Sequence, residues 1–196
     1  MRLSPDISVM FKPAESYRSC GGQAEGRWHL AWRRPLGVAF VLGCTMSLIT
    51  TSGLTPRIAG PATVYWSFVP LAEMGALAAV CRRPRRALSF SRMSDLFFAG
   101  HGPWLVWLIG LCSIWSFCEP VQAFAISRAI WLYGAVAVAL VWSGYIDFCF
   151  FRYVLGHSPR RAARDLVLQR LISGTAIIAI FGAPAIPPEI VAKVGS

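Results

Sequence analysis

The sequence predicts an all-α membrane protein, a polytopic bundle of five transmembrane helices with one or two short interfacial helices. Three observations predict it. The chain of 196 residues is 56% hydrophobic and 14% charged, whereas an average soluble domain is about a quarter charged. Its charge-poor stretches are close to the ~20 residues that cross ~30 Å of hydrocarbon as a helix. Its basic residues gather in every second hydrophilic segment, the pattern of loops retained on the cytoplasmic face.

The spans are taken in chain order. Residues 35–56 carry no charge, 58–81 only Glu73, 96–118 none, 129–151 only Asp147, and 166–183 only Arg170. We expect spans at about 36–55, 61–81, 103–120, 129–151 and 166–184, the last being the shortest. They divide the chain into a basic, loosely ordered cytoplasmic tail at 1–34, a membrane domain at 35–185 and a short external tail at 186–196.

Outside these runs the Lys and Arg residues fall six, one, five, one, four, one along the chain. Strict alternation predicts a cytoplasmic N-terminus and an external C-terminus. The net charge of +10 is consistent with a nucleic-acid binder only if it gathers on one face. Distributed as it is, it predicts contacts with anionic headgroups instead, through Arg82, Arg83, Arg85, Arg86, Arg160 and Arg161. The excess of Arg over Lys hints at a GC-rich genome and hence a bacterial inner membrane.

Trp28 and Trp32, Tyr65 and Trp66, Trp104 and Trp115, and Trp131 and Tyr133 stand near span ends, where amphipathic rings favour headgroup depth. Phe90, Met93 and Phe97 make one apolar helical face, so residues 89–99 are expected to lie along the cytoplasmic surface. Gly100-His101-Gly102-Pro103 is then expected to break that helix. Ser158-Pro159 reads as an N-cap followed by Pro at the first helical position, opening a helix that runs into the fifth span.

Glu73 is the sharpest candidate for chemistry. It stands eight residues before Cys81, about 12 Å deep at 1.5 Å per residue, and a membrane-embedded acid is a functional-site hypothesis by default. Pro70 has no N–H to give to the Trp66 carbonyl. Glu73, Pro70 and Trp66 are therefore the candidate ion or proton site, with no basic residue expected at that depth. The structural alternative is a neutral acid bonded to a nearby carbonyl. Asp147 and Arg170 sit at matched depth on the fourth and fifth spans and form a candidate ion pair. Stripes of small residues predict close helix packing: Gly75 and Ala79, then Ala135, Ala139 and Ser143, then Gly174 and Gly182.

No metal or cofactor is expected. The histidines (29, 101 and 157) form no ligand pair and are read as interfacial, and the six cysteines lack ligand spacing. No nucleophile elbow or phosphate loop is present, so an enzyme is not expected. The expected function is a non-enzymatic membrane component organising lipid or partner helices, with the bilayer and its anionic headgroups as partners. The alternative is a small proton- or cation-coupled carrier, or carrier subunit, using Glu73. Five spans without an internal repeat favour a homo-oligomer or a membrane partner subunit.

Overall fold

The computed structural model describes residues 5–20, 30–51, 53–81, 88–117 and 126–182, and these are helical throughout apart from short turns. Two short helices, α1 (Pro5–Phe11) and α2 (Pro13–Cys20), precede α3 (Leu30–Thr51), α4 (Pro56–Trp66) and α5 (Phe68–Val80). Then come α6 (Phe90–Phe98), α7 (Gly102–Phe117), α8 (Ile126–Cys149) and α9 (Pro159–Gly182). Three stretches are long and apolar enough to cross a membrane: Pro56–Val80, Phe90–Cys112 and Gly134–Val154. The first and last expected spans, on α3 and α9, are not among them. Each carries Arg residues in its N-terminal half, Arg33 and Arg34 on α3 and Arg160, Arg161 and Arg164 on α9.

The surface suits lipid. Val64, Val141 and Ile178 are 75%, 74% and 72% exposed, and polar groups are turned inward instead. Ser47, Ser94, Asp95, His101, Ser143, Asp147, His157, Asp165 and Gln169 are all buried. In water this distribution would be costly on both counts. In hydrocarbon it is the expected one.

α3 and α4 form an antiparallel pair. Ser47 ties their connection, donating to the Gly53 carbonyl and accepting from the Thr55 amide, both at 2.9 Å. The pair crosses closely at Gly43, where an added Cβ would overlap Thr63 and the Ala59 carbonyl. Pro70 takes effect one turn earlier: the ladder tightens at Ser67, whose amide bonds the Val64 carbonyl three residues back, and α4 ends there.

The expected surface helix is instead internal. Met93 to Phe98 are all buried, and only Phe90, at 40%, is well exposed. Ser89 caps α6 by accepting from the Arg92 amide. Nor does Gly100-His101-Gly102-Pro103 break the chain: Ala99–His101 tighten into a 3₁₀ turn and α7 begins at Gly102. Pro103 falls in the first turn of α7, where a missing N–H costs no ladder bond. The apolar stretch here, Phe90–Cys112, accordingly begins before residue 103.

The N-terminal segment also differs from the loosely ordered tail read from sequence. α1 and α2 pack under the bundle. Tyr17 is fully buried, donates to the Leu96 carbonyl at 3.1 Å and meets Phe150 edge-on. Trp142 of α8 donates to the Met10 carbonyl at 2.9 Å, and Arg18 lies over the Tyr153 ring. Proline at the head of each short helix starts it, and aromatic burial holds it. At the end of α8, Phe150–Val154 form a π-helical turn, and Gly156 (φ 70°) reverses the chain in a conformation that disfavours other residues. Ser158 then caps α9 as read from sequence, its hydroxyl accepting from the Arg161 amide at 3.4 Å.

Candidate functional site

Four titratable or charged side chains from four elements converge inside the bundle. Glu73 on α5 and His101 at the α6–α7 turn meet through Oε2 and Nε2 at 2.7 Å, their side chains 14% and 8% exposed. Arg170 on α9 pairs with Asp147 on α8 and also donates to Ser143 at 3.1 Å. The two pairs act on each other electrostatically: Arg170 on both Glu73 and His101, and Asp147 on His101. Ser173, one turn along α9, is buried and bonds the Arg170 carbonyl.

Helical periodicity explains the assembly. Ser143 and Asp147 are one turn apart on α8, so Arg170 spans both. Ala139, a further turn away, is buried with them. His101 is fixed by its neighbours: its ring stacks on Phe98 at 4.6 Å and meets Phe97 edge-on at 5.3 Å. Gly100 makes room for this. A Cβ there would lie 2.8 Å from Ile146 Cγ2, 3.1 Å from the Tyr17 hydroxyl and 3.7 Å from Asp147 Oδ1. Thus the small residue that read as a helix breaker is a packing site beside the acid. His101 Nδ1 is buried and has no hydrogen-bond partner. Gln169, next to Arg170 and 1% exposed, leaves both amide atoms without partners.

The sequence reading of Glu73 needs one correction. It expected no basic group at that depth, yet the partner of Glu73 is the His101 imidazole. His101 was placed at the interface because the Gly-Pro segment around it was read as a break. Of the other two residues in that candidate site, Pro70 is buried at the start of α5, and Trp66 ends α4 with its ring against Tyr65 and Phe68. Arg152, at the end of α8 and five residues beyond Asp147, donates instead to the His157 carbonyl at 2.6 Å.

The small-residue stripes fare unevenly. Ala139 and Ser143 are buried, but Gly75, Ala79 and Ala135 face outward. A Cβ on Gly75 or Gly174 would meet nothing within 4 Å. Small residues are common on lipid-facing helix surfaces too, so spacing alone did not select the packed ones. Gly182 ends α9, and its surroundings lie outside the described residues, as do Arg82, Arg83, Arg85 and Arg86.

Two further polar clusters sit near helix ends. Asp95 of α6 receives Arg34 at 2.6 Å, Arg92 at 3.3 Å and Arg33 at 3.8 Å. Asp165 of α9 receives His157 at 2.9 Å, Arg164 at 2.8 Å and Arg161 at 3.4 Å. Arg160 is exposed, whereas Arg161 is turned towards this acid. His157, read as interfacial, is 1% exposed. Among the described residues no group of His, Cys, Asp and Glu is arranged to hold a metal ion, and Cys44, Cys81, Cys112 and Cys149 are in no disulfide. Compared with known proteins, the chain matches no family model, no curated protein and no solved structure.

Proposed function

We propose that the chain is a five-span membrane protein, with its N-terminus in the cytoplasm and its C-terminus outside, whose buried cluster binds an exchangeable proton. Of the two readings of the sequence, the proton-coupled carrier or carrier subunit is the one the site favours over a passive organiser of lipid or helices. The carrying observation is the charge count of the cluster. Glu73 and Asp147 are two acids, Arg170 is one permanent cation, and His101 sits directly on Glu73. With both acids ionised and His101 neutral the cluster carries one uncompensated negative charge, which is costly in low dielectric. One proton on the Glu73–His101 pair cancels it, and this is the group that can release it. The Tyr17 hydroxyl of α2 also lies beside Gly100.

The unpartnered His101 Nδ1 supports the same reading. With the added proton present Nδ1 carries a hydrogen that no acceptor holds, so the protonated pair is not locked and can give its proton up. Alternating basic clusters support the topology, and the Arg33, Arg34, Arg92, Arg161 and Arg164 clusters support one charged end.

Infrared spectra across a pH titration of purified protein test the site. A protonated-carboxyl band that disappears in Glu73→Gln and moves in His101→Gln is expected, together with loss of pH-gradient dissipation in vesicles by Glu73→Gln. Wild-type behaviour in Glu73→Gln overturns the proton reading. Reporter fusions test the topology: positions 86 and 161 should read cytoplasmic, and positions 59, 122 and 196 external. A cytoplasmic signal at 196 alone removes the fifth span.

A further inference from the structure

Between the proton site and the Asp165 cluster, α9 turns polar side chains inward. Its buried residues are Ala162, Asp165, Gln169 and Ser173. They recur every third or fourth position and so form one face. All but Ala162 are polar, where helix packing in a membrane needs only small or apolar groups. α9 packs on α5, whose Met74, Leu77 and Cys81 are buried at the same spacing.

Two electrostatic interactions set the register. Asp165 acts on Cys81, just beyond α5, and Arg170 acts on Glu73. The two helices therefore run antiparallel. Glu73 lies eight residues before Cys81 and Ser173 eight after Asp165, so both are about 12 Å from the level of Asp165. Gln169 stands midway, about 6 Å from either level. It is 1% exposed, and neither its amide oxygen nor its amide nitrogen has a hydrogen-bond partner among the described residues. Such an amide is costly to bury, and buried water is the usual partner of groups of this kind. Four hydrogen bonds of about 2.8 Å cover about 11 Å, so about three waters join the two levels.

We propose that Gln169 anchors a short file of water between α5 and α9, along which the Glu73–His101 pair exchanges its proton with Asp165. This route rests on the proton-binding reading of that pair. The Gln169 oxygen accepts from one water and its nitrogen donates to the next. On release the pair gives its proton to the nearest water while each water passes one of its own onward. The last goes to the Asp165 carboxylate, which yields it to bulk water beside Arg164, whose side chain is 65% exposed. Every water ends with the two protons it began with. The charged and titratable groups along the route are Asp165 with His157, Arg161 and Arg164, then Cys81, and finally Glu73, His101, Asp147 and Arg170.

The test uses purified full-length protein and Gln169→Met, which keeps the length of the side chain but neither amide atom. Infrared difference spectra in oxygen-18 water should show isotope-shifted bands of internal water in the wild type and none in the variant. After a pH jump the Glu73 carboxyl band should titrate to the same midpoint in both, but reach it about tenfold more slowly in Gln169→Met, the effect of one hydrogen bond lost from the barrier. Gln169→Asn, which keeps both amide atoms, should relax at close to the wild-type rate. A wild-type rate in Gln169→Met overturns the route while the Glu73 band still stands for the proton site. Loss of that band's titration in the wild type itself is failure of the proton reading instead. A Gln169→Asn protein as slow as Gln169→Met overturns the role of the amide. A Gln169→Met protein that melts well below the wild type shows an amide held by the protein, and overturns the water site.

Discussion

The pairing of Asp147 with Arg170 makes an asymmetric prediction that depth matching alone does not. The Asp147 side chain is 2% exposed and that of Arg170 is 32% exposed. Removing Arg170 strands a carboxylate with no route to solvent or headgroups. Removing Asp147 leaves a guanidinium that keeps Ser143 as acceptor at 3.1 Å and has a long stem with which to snorkel. Arg170→Met should therefore cost about 3–5 kcal/mol, the penalty for leaving a buried charge unpaired. Asp147→Asn should cost less, about 1.5–3 kcal/mol, the range of a lost charged hydrogen bond. The double variant should be more stable than the sum of the two losses by about 1–3 kcal/mol, because the stranded carboxylate is gone. Unfolding in mixed detergent micelles, followed by circular dichroism, measures all three. Equal single losses would show that the two residues do not differ in solvent access. Strict additivity would show that they do not interact.

Three further outcomes follow from the packing. Gly100→Ala should destabilise by about 1–3 kcal/mol, because its Cβ would press on Ile146 at 2.8 Å, whereas Gly75→Ala should be neutral; paired thermal melts check this. Gly156→Ala should cost about 1–2 kcal/mol from its positive φ of 70°, while Ser158→Ala should cost about 1 kcal/mol through loss of the α9 cap; both are read from the same unfolding curves. Tyr17→Phe should lose about 1 kcal/mol with the bond to the Leu96 carbonyl, and faster amide exchange across Pro13–Cys20 would show that α2 has loosened; unchanged exchange would contradict its role as an anchor.

What the sequence showed by itself was the apolar runs and the charges that interrupt them. Apolar runs of membrane length and an alternating distribution of Lys and Arg are one-dimensional properties, because hydrocarbon thickness and the cost of moving cations act on consecutive residues. For the same reason Glu73, Asp147 and Arg170 were legible: a charge inside an apolar run is conspicuous without any knowledge of its neighbours. So was the start of α9, since a Ser-Pro cap is a local rule. Partnership was not legible. His101 belongs to Glu73 because Phe97, Phe98 and Gly100 fold a Gly-Pro segment into a 3₁₀ turn inside the bundle, where local propensity called for a break. α6 is internal because α3, α5 and the π-helical turn after α8 pack on it, and Tyr17 of α2 bonds the Leu96 carbonyl. Which small residues lie at helix crossings was likewise decided by packing: Gly43 and Gly100 are crowded, Gly75 and Gly174 are open, and all four have the same composition and the same absence of a side chain. Tertiary structure made those choices because a side chain's partners depend on which helices are adjacent and how they are rotated, and neither quantity is carried by spacing along a single chain.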